Sequence, residues 1–269
     1  MDGRNQGLRF RLEPEGTEVA VRPEIAILAG YTGRDQEAVH HHIHELEALG
    51  VAPPPNVPMF YFAAPELLIQ GSRLLTTESG TSGEVEVALV VDGDDVYVTV
   101  ASDHTDRALE RIDVPASKRA CPKVIGSTAW RLGEVVGHWD TLRLESWIGE
   151  AADQPYQDGL LGELLGPVDL LEAIHWRVRP TSFVLLGGTM PAIGGLRESP
   201  RFRASLHDPV HDRRLEIDYA VQVLDFVRAP SSAAARVRTA AQELGIALGD
   251  IEVARLGSRV DAIEEQLQP

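Results

Sequence analysis

Residues 83–107 carry the segment that decides the fold, and they read GEVEVALVVDGDDVYVTVASDHTDR. Apolar side chains recur at alternate positions from Val85 to Val91, which is the period of a β-strand. Residues 92–95 form a turn sequence, and residues 96–100 resume an apolar strand. The segment therefore predicts a β-hairpin with a short connection.

Glu84 and Glu86 occupy alternate positions at the start of this hairpin. Since residues two apart on a strand point to the same face, their carboxylates project side by side and repel each other. A divalent cation relieves such repulsion, and hard ions such as Mg²⁺ or Ca²⁺ take oxygen ligands of this kind. The end of the returning strand brings Asp103 or Asp106 to the same place and predicts a third carboxylate. The alternatives are a solvated strand face for the glutamates and a turn role for Asp103.

Residues 40–47 read HHHIHELE, with four histidines in five positions. On a helix adjacent positions point around the axis, so at most two of these histidines share a face. His42 with Glu45, and His44 with Glu47, have the i,i+3 spacing of a base and a carboxylate that orients it. An exposed polar helix is the alternative interpretation of the same pattern.

The rest of the chain alternates between β-rich and helical stretches. Residues 1–30 show short apolar alternations, which we interpret as a small N-terminal β segment. A helical pattern follows at about residues 35–49. Residues 74–135 and 181–227 are again β-rich, and residues 229–269 predict an Ala-rich helical extension.

The composition bounds the class of protein. Of the 269 residues 43% are hydrophobic and 25% charged, which is ordinary for a globular chain and excludes wholesale disorder. A net charge of −16 disfavours nucleic acids and anionic membranes as partners. The single cysteine, Cys121, has no internal partner for a disulfide, and no apolar run is long enough for a membrane span. We therefore expect a cytoplasmic location.

Eight short motifs, in their order along the chain, resemble those of the fumarylacetoacetate hydrolase superfamily. Between residues 25 and 227 these motifs are Gly30-Tyr31, His42-x-x-Glu45, Pro55-x-x-Pro58-x-Phe60, Glu84-x-Glu86, Ser102-Asp103-x-Thr105-x-Arg107, Ser117-Lys118, Tyr156-Gln157 and Gly188-Thr189-Met190-Pro191. More narrowly, the run GYTGRD…HIHELEALGV…SGEVEVALV…SDHTDRALE is similar to an uncharacterised bacterial branch of that superfamily, the DUF2848 domain of unknown function.

The resemblance implies a fold and an assembly. The fold would be α+β and mainly β, with the mixed β-sandwich roll of that superfamily, a short lid helix and a C-terminal helical tail. The catalytic domain would span residues 31–228, between the N-terminal β segment and the extension at residues 229–269. The expected assembly is a homodimer, and the expected partner is a small-molecule carboxylate substrate.

The resemblance also implies roles for individual residues. Glu84, Glu86 and Asp103 would hold Mg²⁺ or Mn²⁺, with Ca²⁺ as a substitute in a crystal. The implied catalytic residues are His42 and Glu45 on the lid helix, together with Lys118. The implied substrate-binding residues are Arg107, Gln157 and Thr189, and Arg34 is expected to contact the substrate carboxylate. His44 with Glu47 is the alternative register for the lid pair.

Several departures from the superfamily pattern concern substrate recognition. A Lys and a Pro that often follow the Phe60 motif are missing, and Tyr31-Thr32-Gly33-Arg34 replaces the usual Asn-Tyr dipeptide. Ser102-Asp103 replaces Asn-Asp and keeps the carboxylate. Met190 is a one-residue insertion between Thr189 and the following proline. The chemistry is therefore better supported than the identity of the substrate.

The function implied is a metal-dependent hydrolase or lyase that acts on a small 2-oxo acid, an acylpyruvate or β-diketo acid. C–C bond cleavage or decarboxylation would proceed through a metal-stabilised enolate. A 2-oxo acid dehydratase or isomerase on the same site is one alternative. Another is a transition-metal dioxygenase built on His42, His44 and Glu84, and a third is a non-catalytic binding member of the fold.

Overall fold

The computed structural model describes residues 7–48, 53–150 and 154–224, together with residues 237–238, 241, 245–247, 249, 252–253, 256 and 259. The chain divides into two compact units, Met1–Leu224 and Asp225–Pro269. The helices within the described residues are too short or too polar to cross a membrane.

The first unit consists mainly of strands. In chain order these are β1 Leu8–Leu12, β2 Glu18–Val21, β3 Ile25–Gly30, β4 Met59–Ala63, β5 Leu68–Ile69, β6 Arg73–Thr76, β7 Thr81–Ser82, β8 Val85–Asp92, β9 Asp95–Ser102, β10 Thr105–Asp106, β11 Lys123–Ile125, β12 Thr128–Arg131, β13 Arg143–Ile148, β14 Gln157–Leu160, β15 Ser182–Thr189, β16 Arg201–Asp208 and β17 Arg213–Val223. The α-helices are α1 Gln36–Ala48, α2 Arg107–Glu110, α3 Val114–Ala120, α4 Leu132–Val135 and α5 Pro167–Ala173. Short 3₁₀ segments cover Pro65–Leu67, Val136–Thr141 and Leu161–Glu163.

The described strands form two main sheets and a small ribbon. Ten strands form a mixed sheet in the order β2-β1-β12-β9-β8-β15-β3-β4, with β11 beside β9 and β5 beside β11. Five strands form a second sheet in the order β14-β13-β16-β17-β6, and β7 pairs with β10. The α+β, mainly β class that the sequence predicted is confirmed.

Two apolar cores lie on opposite faces of the ten-stranded sheet. Val87 and Leu89 of β8 pack in a core that includes residues of the five-stranded sheet. Ala88 and Val90 pack in a second core, whose buried residues all come from strands of the ten-stranded sheet itself. A sheet that surrounds its own core must curl. Because Glu86 is two residues from Ala88, its side chain lies on this inner side of the curl.

The predicted hairpin is present. Asp92 of β8 lies opposite Asp95 of β9, so the connection consists of two residues. The first of them, Gly93, has φ +63, a left-handed conformation that favours glycine in such turns. Both faces of β8 are buried, so its apolar pattern is denser than simple alternation.

The N-terminal strands belong to the large sheet. β1 pairs with β2 and with β12, and β3 lies between β15 and β4. The structure therefore continues without a division at residue 30. At the other end, most of the predicted extension at residues 229–269 lies outside the described residues. The helical extension therefore stays a prediction.

Helix α1 begins one residue after its predicted start. The Asp35 carboxylate accepts hydrogen bonds from the N–H groups of Glu37 and Ala38, which satisfies two donors of the first turn. Val39 and Ile43 are buried and define the inner face of the helix. The histidine-rich segment therefore lies on a helix whose inner face is apolar.

Candidate metal centre

Three carboxylates converge at the open end of the β8–β9 hairpin. Glu84, Glu86 and Asp103 each offer an oxygen atom, and these atoms lie within 4.8 Å of one another. The hairpin register produces the arrangement, because Val85 pairs with Ser102 and the Asp103 N–H donates to the Glu84 carbonyl at 3.0 Å. We call Glu84, Glu86 and Asp103 the carboxylate triad.

Asp106, the other aspartate considered for this place, has a different role. Its carboxylate accepts hydrogen bonds from the N–H groups of Ala108 and Leu109, both at 3.0 Å, and caps the N-terminus of α2. The structure thus assigns Asp103 to the triad and Asp106 to the helix.

Buried cations lie against the triad. The Lys118 ammonium, on α3, is 2.6 Å from Asp103 Oδ2 and 3.2 Å from Glu84 Oε2. The Lys123 ammonium, at the start of β11, is 2.7 Å from Asp103 Oδ1. Arg107 lies 3.1 Å from Glu84 Oε1 and 2.7 Å from Glu110. These ion pairs compensate charge that would be costly to bury alone.

Lys123 and Glu110 are functional candidates that the sequence interpretation missed. The Lys123 side chain is fully buried, and Glu110 pairs with Arg107 and lies 4.0 Å from Lys118. A sequence signal for Lys123 does exist. Lys118 and Lys123 are the only lysines of the chain, whose other 23 cationic side chains are arginines. Both lysines contact Asp103.

Glu86 is held by strand β15. The Gly188 N–H donates to Glu86 Oε2 at 2.7 Å, and the β8–β15 register shifts between Leu186 and Thr189. Gly188 has φ +99, and an added Cβ would lie 1.9 Å from Thr32 Oγ1. The positive φ and the contact with Thr32 favour glycine here, because a side chain would strain the backbone that holds Glu86 or displace Thr32.

Burial and charge give the ionisable groups different proton affinities. Burial and the negative charge of Asp103 raise the pKa of Glu86 well above its ordinary value. Burial also acts to raise the pKa of Asp103, but Lys118 and Lys123 outweigh it and hold that pKa below its usual range. Burial acts to lower the pKa of Lys118, and Asp103 and Glu84 reverse this effect and raise it.

Gln157 and Thr189 brace the strand that carries the glutamates. Gln157 accepts from the Val85 N–H at 2.9 Å and donates to Thr189 Oγ1 at 2.8 Å. Thr189 in turn donates to the Val85 carbonyl at 2.7 Å. The inserted Met190 is buried, and its carbonyl accepts from Gln157 at 2.6 Å. The insertion therefore fixes Gln157 in place.

The remaining predicted residues contact other groups or lie outside the description. Arg34 forms a two-pronged ion pair with Asp140, at 2.8 and 2.9 Å, and also donates to the Leu164 carbonyl. His44 Nδ1 lies 3.0 Å from Glu47 Oε2, and 78% of the His44 side chain is exposed. The side chains of His42 and Glu45 lie outside what the structure describes, although their backbone is part of α1.

The triad fits a hard divalent ion by its donor chemistry. It offers only carboxylate oxygens, which Mg²⁺ and Mn²⁺ prefer. Lys118 now supplies positive charge between Asp103 and Glu84, and a divalent ion would take over that compensation. Among the described side chains no imidazole joins Glu84 in a possible metal site, and the side chain of His42, which the dioxygenase alternative also requires, lies outside the description.

A family model described as "Protein of unknown function (DUF2848)" matches residues 29–219, a stretch that includes the whole triad. The chain belongs to the DUF2848 family. The predicted similarity to this branch is thus confirmed. No curated protein sequence matches this DUF2848 member significantly.

Solved structures of other proteins share the fold of this DUF2848 member. Fumarylpyruvate hydrolase from Pseudomonas aeruginosa, solved with Mn²⁺ and pyruvate, is 14% identical with a TM-score of 0.57, and the match covers 82% of this chain and 98% of that one. A 2-keto-3-deoxy-D-arabinonate dehydratase, complexed with magnesium and 2,5-dioxopentanoate, is 17% identical with a TM-score of 0.53 and coverages of 75% and 74%. Yeast Ynq8, a fumarylacetoacetate hydrolase family protein, is 16% identical with a TM-score of 0.53 and coverages of 75% and 94%. The predicted superfamily fold is therefore confirmed.

Proposed function

We propose that this DUF2848 member is a Mg²⁺- or Mn²⁺-dependent hydrolase or lyase that acts on a small 2-oxo acid. The observation that carries the proposal is the convergence of Glu84, Glu86 and Asp103 within 4.8 Å, with the Lys118 ammonium against them. The carboxylate triad can hold a metal ion, and the Lys118 ammonium beside it can attract an anion. This arrangement of charges suits a 2-oxo acid that binds through its oxygen atoms.

The comparisons support this substrate class. Among proteins of the same fold, the hydrolase was solved with Mn²⁺ and pyruvate, and the dehydratase with magnesium and 2,5-dioxopentanoate. Both ligands are 2-oxo compounds. C–C cleavage or decarboxylation is the reaction we assign first, and dehydration or isomerisation is the alternative on the same site.

Each group of the triad region has a role in this proposal. Glu84, Glu86 and Asp103 bind the ion, which supplies Lewis-acid stabilisation of negative charge on the substrate oxygens. Lys118 binds the substrate's carboxylate or keto oxygen, and Lys123 keeps Asp103 ionised from the opposite side. Gln157 and Thr189 orient β8, and Arg107 fixes Glu84.

Proton transfer is assigned to the histidine-rich helix. We propose that α1 covers the bound substrate and that His42, oriented by Glu45, acts as the base. His44 with Glu47 is the alternative pair, and these two side chains are within hydrogen-bond distance of each other. Single substitutions His42→Gln and His44→Gln separate the registers, since only one should lower kcat by about a hundredfold.

A panel of acylpyruvates, β-diketo acids and 2-keto-3-deoxy acids, assayed with Mg²⁺, Mn²⁺ or EDTA, tests the function. We expect turnover that requires the ion and falls at least about a hundredfold in Glu84→Gln. Glu216→Gln is the matched control, because Glu216 is an exposed glutamate on β17. Product analysis distinguishes cleavage, decarboxylation and dehydration.

Two results would count against the proposal. Turnover that survives both EDTA and Glu84→Gln would remove the metal mechanism. Tight Mn²⁺ binding without turnover of any panel member would favour the non-catalytic alternative. The homodimer and the cytoplasmic location remain predictions, and light scattering of the full chain measures the first directly.

A further inference from the structure

His138, Asp208 and His211 form a second cluster of metal-binding side chains. Each offers one nitrogen or oxygen atom, and these atoms lie within 4.8 Å of one another. His138 Nε2 is 2.9 Å from Asp208 Oδ1, and His211 Nδ1 is 2.8 Å from Asp208 Oδ2. None of these residues belongs to the carboxylate triad or contributes to the proposed reaction.

We propose that His138, Asp208 and His211 bind one transition-metal ion of the zinc type. Two imidazoles and one carboxylate are the ligands that Zn²⁺ and Co²⁺ prefer, whereas Mg²⁺ prefers oxygen alone. Three protein ligands leave at least one coordination position open for water or a small ligand. The cluster therefore differs from the triad in the kind of metal that it selects.

The distances suit such an ion. With metal–ligand bonds of about 2.0–2.2 Å, tetrahedral ligand atoms lie roughly 3.4 Å apart. The two nitrogen–oxygen distances of 2.9 and 2.8 Å are shorter than this because hydrogen bonds now join the atoms. Because the two imidazoles contact different oxygens of the Asp208 carboxylate, an ion in place of the bridging protons requires a shift of the side chains within the 4.8 Å cluster.

The backbone fixes the central ligand. Asp208 ends β16 and is fully buried, and its Oδ1 accepts from the N–H groups of Val210 and His211. Burial acts to raise the pKa of Asp208, but the hydrogen bonds from His211 and Arg213 outweigh it and lower the pKa. A fixed, ionised carboxylate is a pre-organised ligand. His211 is half-exposed and His138 is largely buried, so an ion can enter from the His211 side.

The charges around the cluster permit a cation. Arg213 lies 3.0 Å from Asp208 Oδ2, but Glu134 lies 2.7 Å from the same guanidinium and neutralises it. The negative charge of Asp208 is thus left for an ion. Arg213 Nη2 is buried and has no hydrogen-bond acceptor in the part of the chain that the structure describes.

One ligand of the cluster, His211, lines a cavity. His211, Arg213 and Glu134 line a cavity of about 740 Å³ together with Arg11 of β1 and with Glu13, Pro14 and Glu15 of the β1–β2 connection. An oxygen ligand on the ion would provide the acceptor that Arg213 Nη2 lacks. The cluster therefore combines a ligand set, a neutralised cation and access for a further ligand.

Cobalt binding to the full-length chain, measured in excess Mg²⁺, tests the proposal. Magnesium saturates the carboxylate triad and leaves the imidazole cluster to Co²⁺. Equilibrium dialysis should show one more Co²⁺ per chain in the native protein than in His211→Ala. The visible absorption of imidazole-bound Co²⁺ should be lost in His211→Ala and retained in Glu84→Gln.

His207→Ala is the matched control, because His207 lies on the same strand, one residue before Asp208, and is outside the cluster. It should bind Co²⁺ as the native protein does. His138→Gln is the second variant, and it should lower Co²⁺ affinity at least about tenfold with far-UV circular dichroism unchanged. Equal Co²⁺ stoichiometry and spectra in the native chain, His211→Ala and His138→Gln would overturn the proposal. Co²⁺ lost in Glu84→Gln but not in His211→Ala would also overturn it.

Discussion

Removal of the Lys123 side chain should destabilise the fold strongly. Its side chain is fully buried and pairs with Asp103, which is itself buried. In Lys123→Met, Asp103 keeps only the Lys118 ammonium, so part of its buried charge lacks compensation. We expect the free energy of unfolding to fall by about 3–5 kcal/mol, measured by urea denaturation without added metal.

The double variant Lys123→Met/Asp103→Asn separates lost charge compensation from lost packing. Removal of the carboxylate charge should recover part of the stability, because an unpaired buried charge is more costly than a neutral pair. The single variant Asp103→Asn completes the cycle. If the loss of unfolding free energy in the double variant equals the sum of the losses in Lys123→Met and Asp103→Asn, the ion pair is not the cause.

His104 should make the fold sensitive to mild acid. It lies between Tyr219 and Thr81, at 3.0 and 2.9 Å, and burial lowers its pKa to about 3. An unfolded histidine has a pKa of about 6.5, so this contribution is fully present above that pH and is lost as the pH falls. We expect the His104 contribution to lower the free energy of unfolding by about 2 kcal/mol at pH 5 relative to pH 7. Few carboxylates have titrated at pH 5.

Unfolding free energies at pH 7 and pH 5 for the native chain and His104→Gln measure this effect. Glutamine is uncharged at both values, so its pH dependence should be smaller by the histidine contribution. An identical dependence in both proteins would assign the acid sensitivity to other groups.

The sequence predicted the parts of the site that depend on neighbouring residues. Glu84 and Glu86 are two residues apart, and a two-residue turn returns Asp103 to them, so strand geometry alone brought the triad together. Asp103 and Asp106 were equivalent at that level. The distinction depended on α2, whose first turn takes Asp106 as its cap.

Contacts between distant elements were not predictable in this way. Gly188 follows Glu86 by 102 residues, and their hydrogen bond depends on the pairing of β15 with β8. His138 and Asp208 are 70 residues apart and belong to different elements. The spacing of residues within a short stretch of sequence does not predict such pairs, because they result from the order of strands in the sheets.

At the level of elements, the irregular end of β15 should control metal binding. Gly188→Ala introduces a methyl group 1.9 Å from Thr32 Oγ1 at φ +99, so Thr32 or the backbone that holds Glu86 must shift. We expect the variant to lose at least about 2 kcal/mol of stability and about tenfold in Mn²⁺ affinity, measured by denaturation and calorimetry.

Gly93→Ala provides the control for backbone conformation. Gly93 also has positive φ, +63, but an added Cβ there meets no atom within 4 Å. It should lose about 1 kcal/mol of stability and keep its Mn²⁺ affinity. Equal Mn²⁺ affinity in the two variants would mean that the Gly188 N–H does not position Glu86.

For the whole molecule, the net charge of −16 opposes the approach of an anionic substrate. In the proposed function, the local field of the ion, Lys118, Lys123 and Arg107 would attract the 2-oxo acid, and this field acts over a short range. At about 0.01 M salt the Debye length is roughly 30 Å, so the whole acidic surface repels the substrate, whereas at about 0.15 M it is roughly 8 Å and distant charges are screened.

We therefore expect kcat/KM to rise severalfold with KCl over this range, measured at saturating Mg²⁺. A dianionic 2-oxo acid should show about twice the slope of a monoanionic one in log kcat/KM, because the repulsion scales with substrate charge. The comparison between two substrates cancels effects of salt on the fold. A decrease with KCl would mean that the local positive field extends beyond the triad and dominates the approach of the substrate.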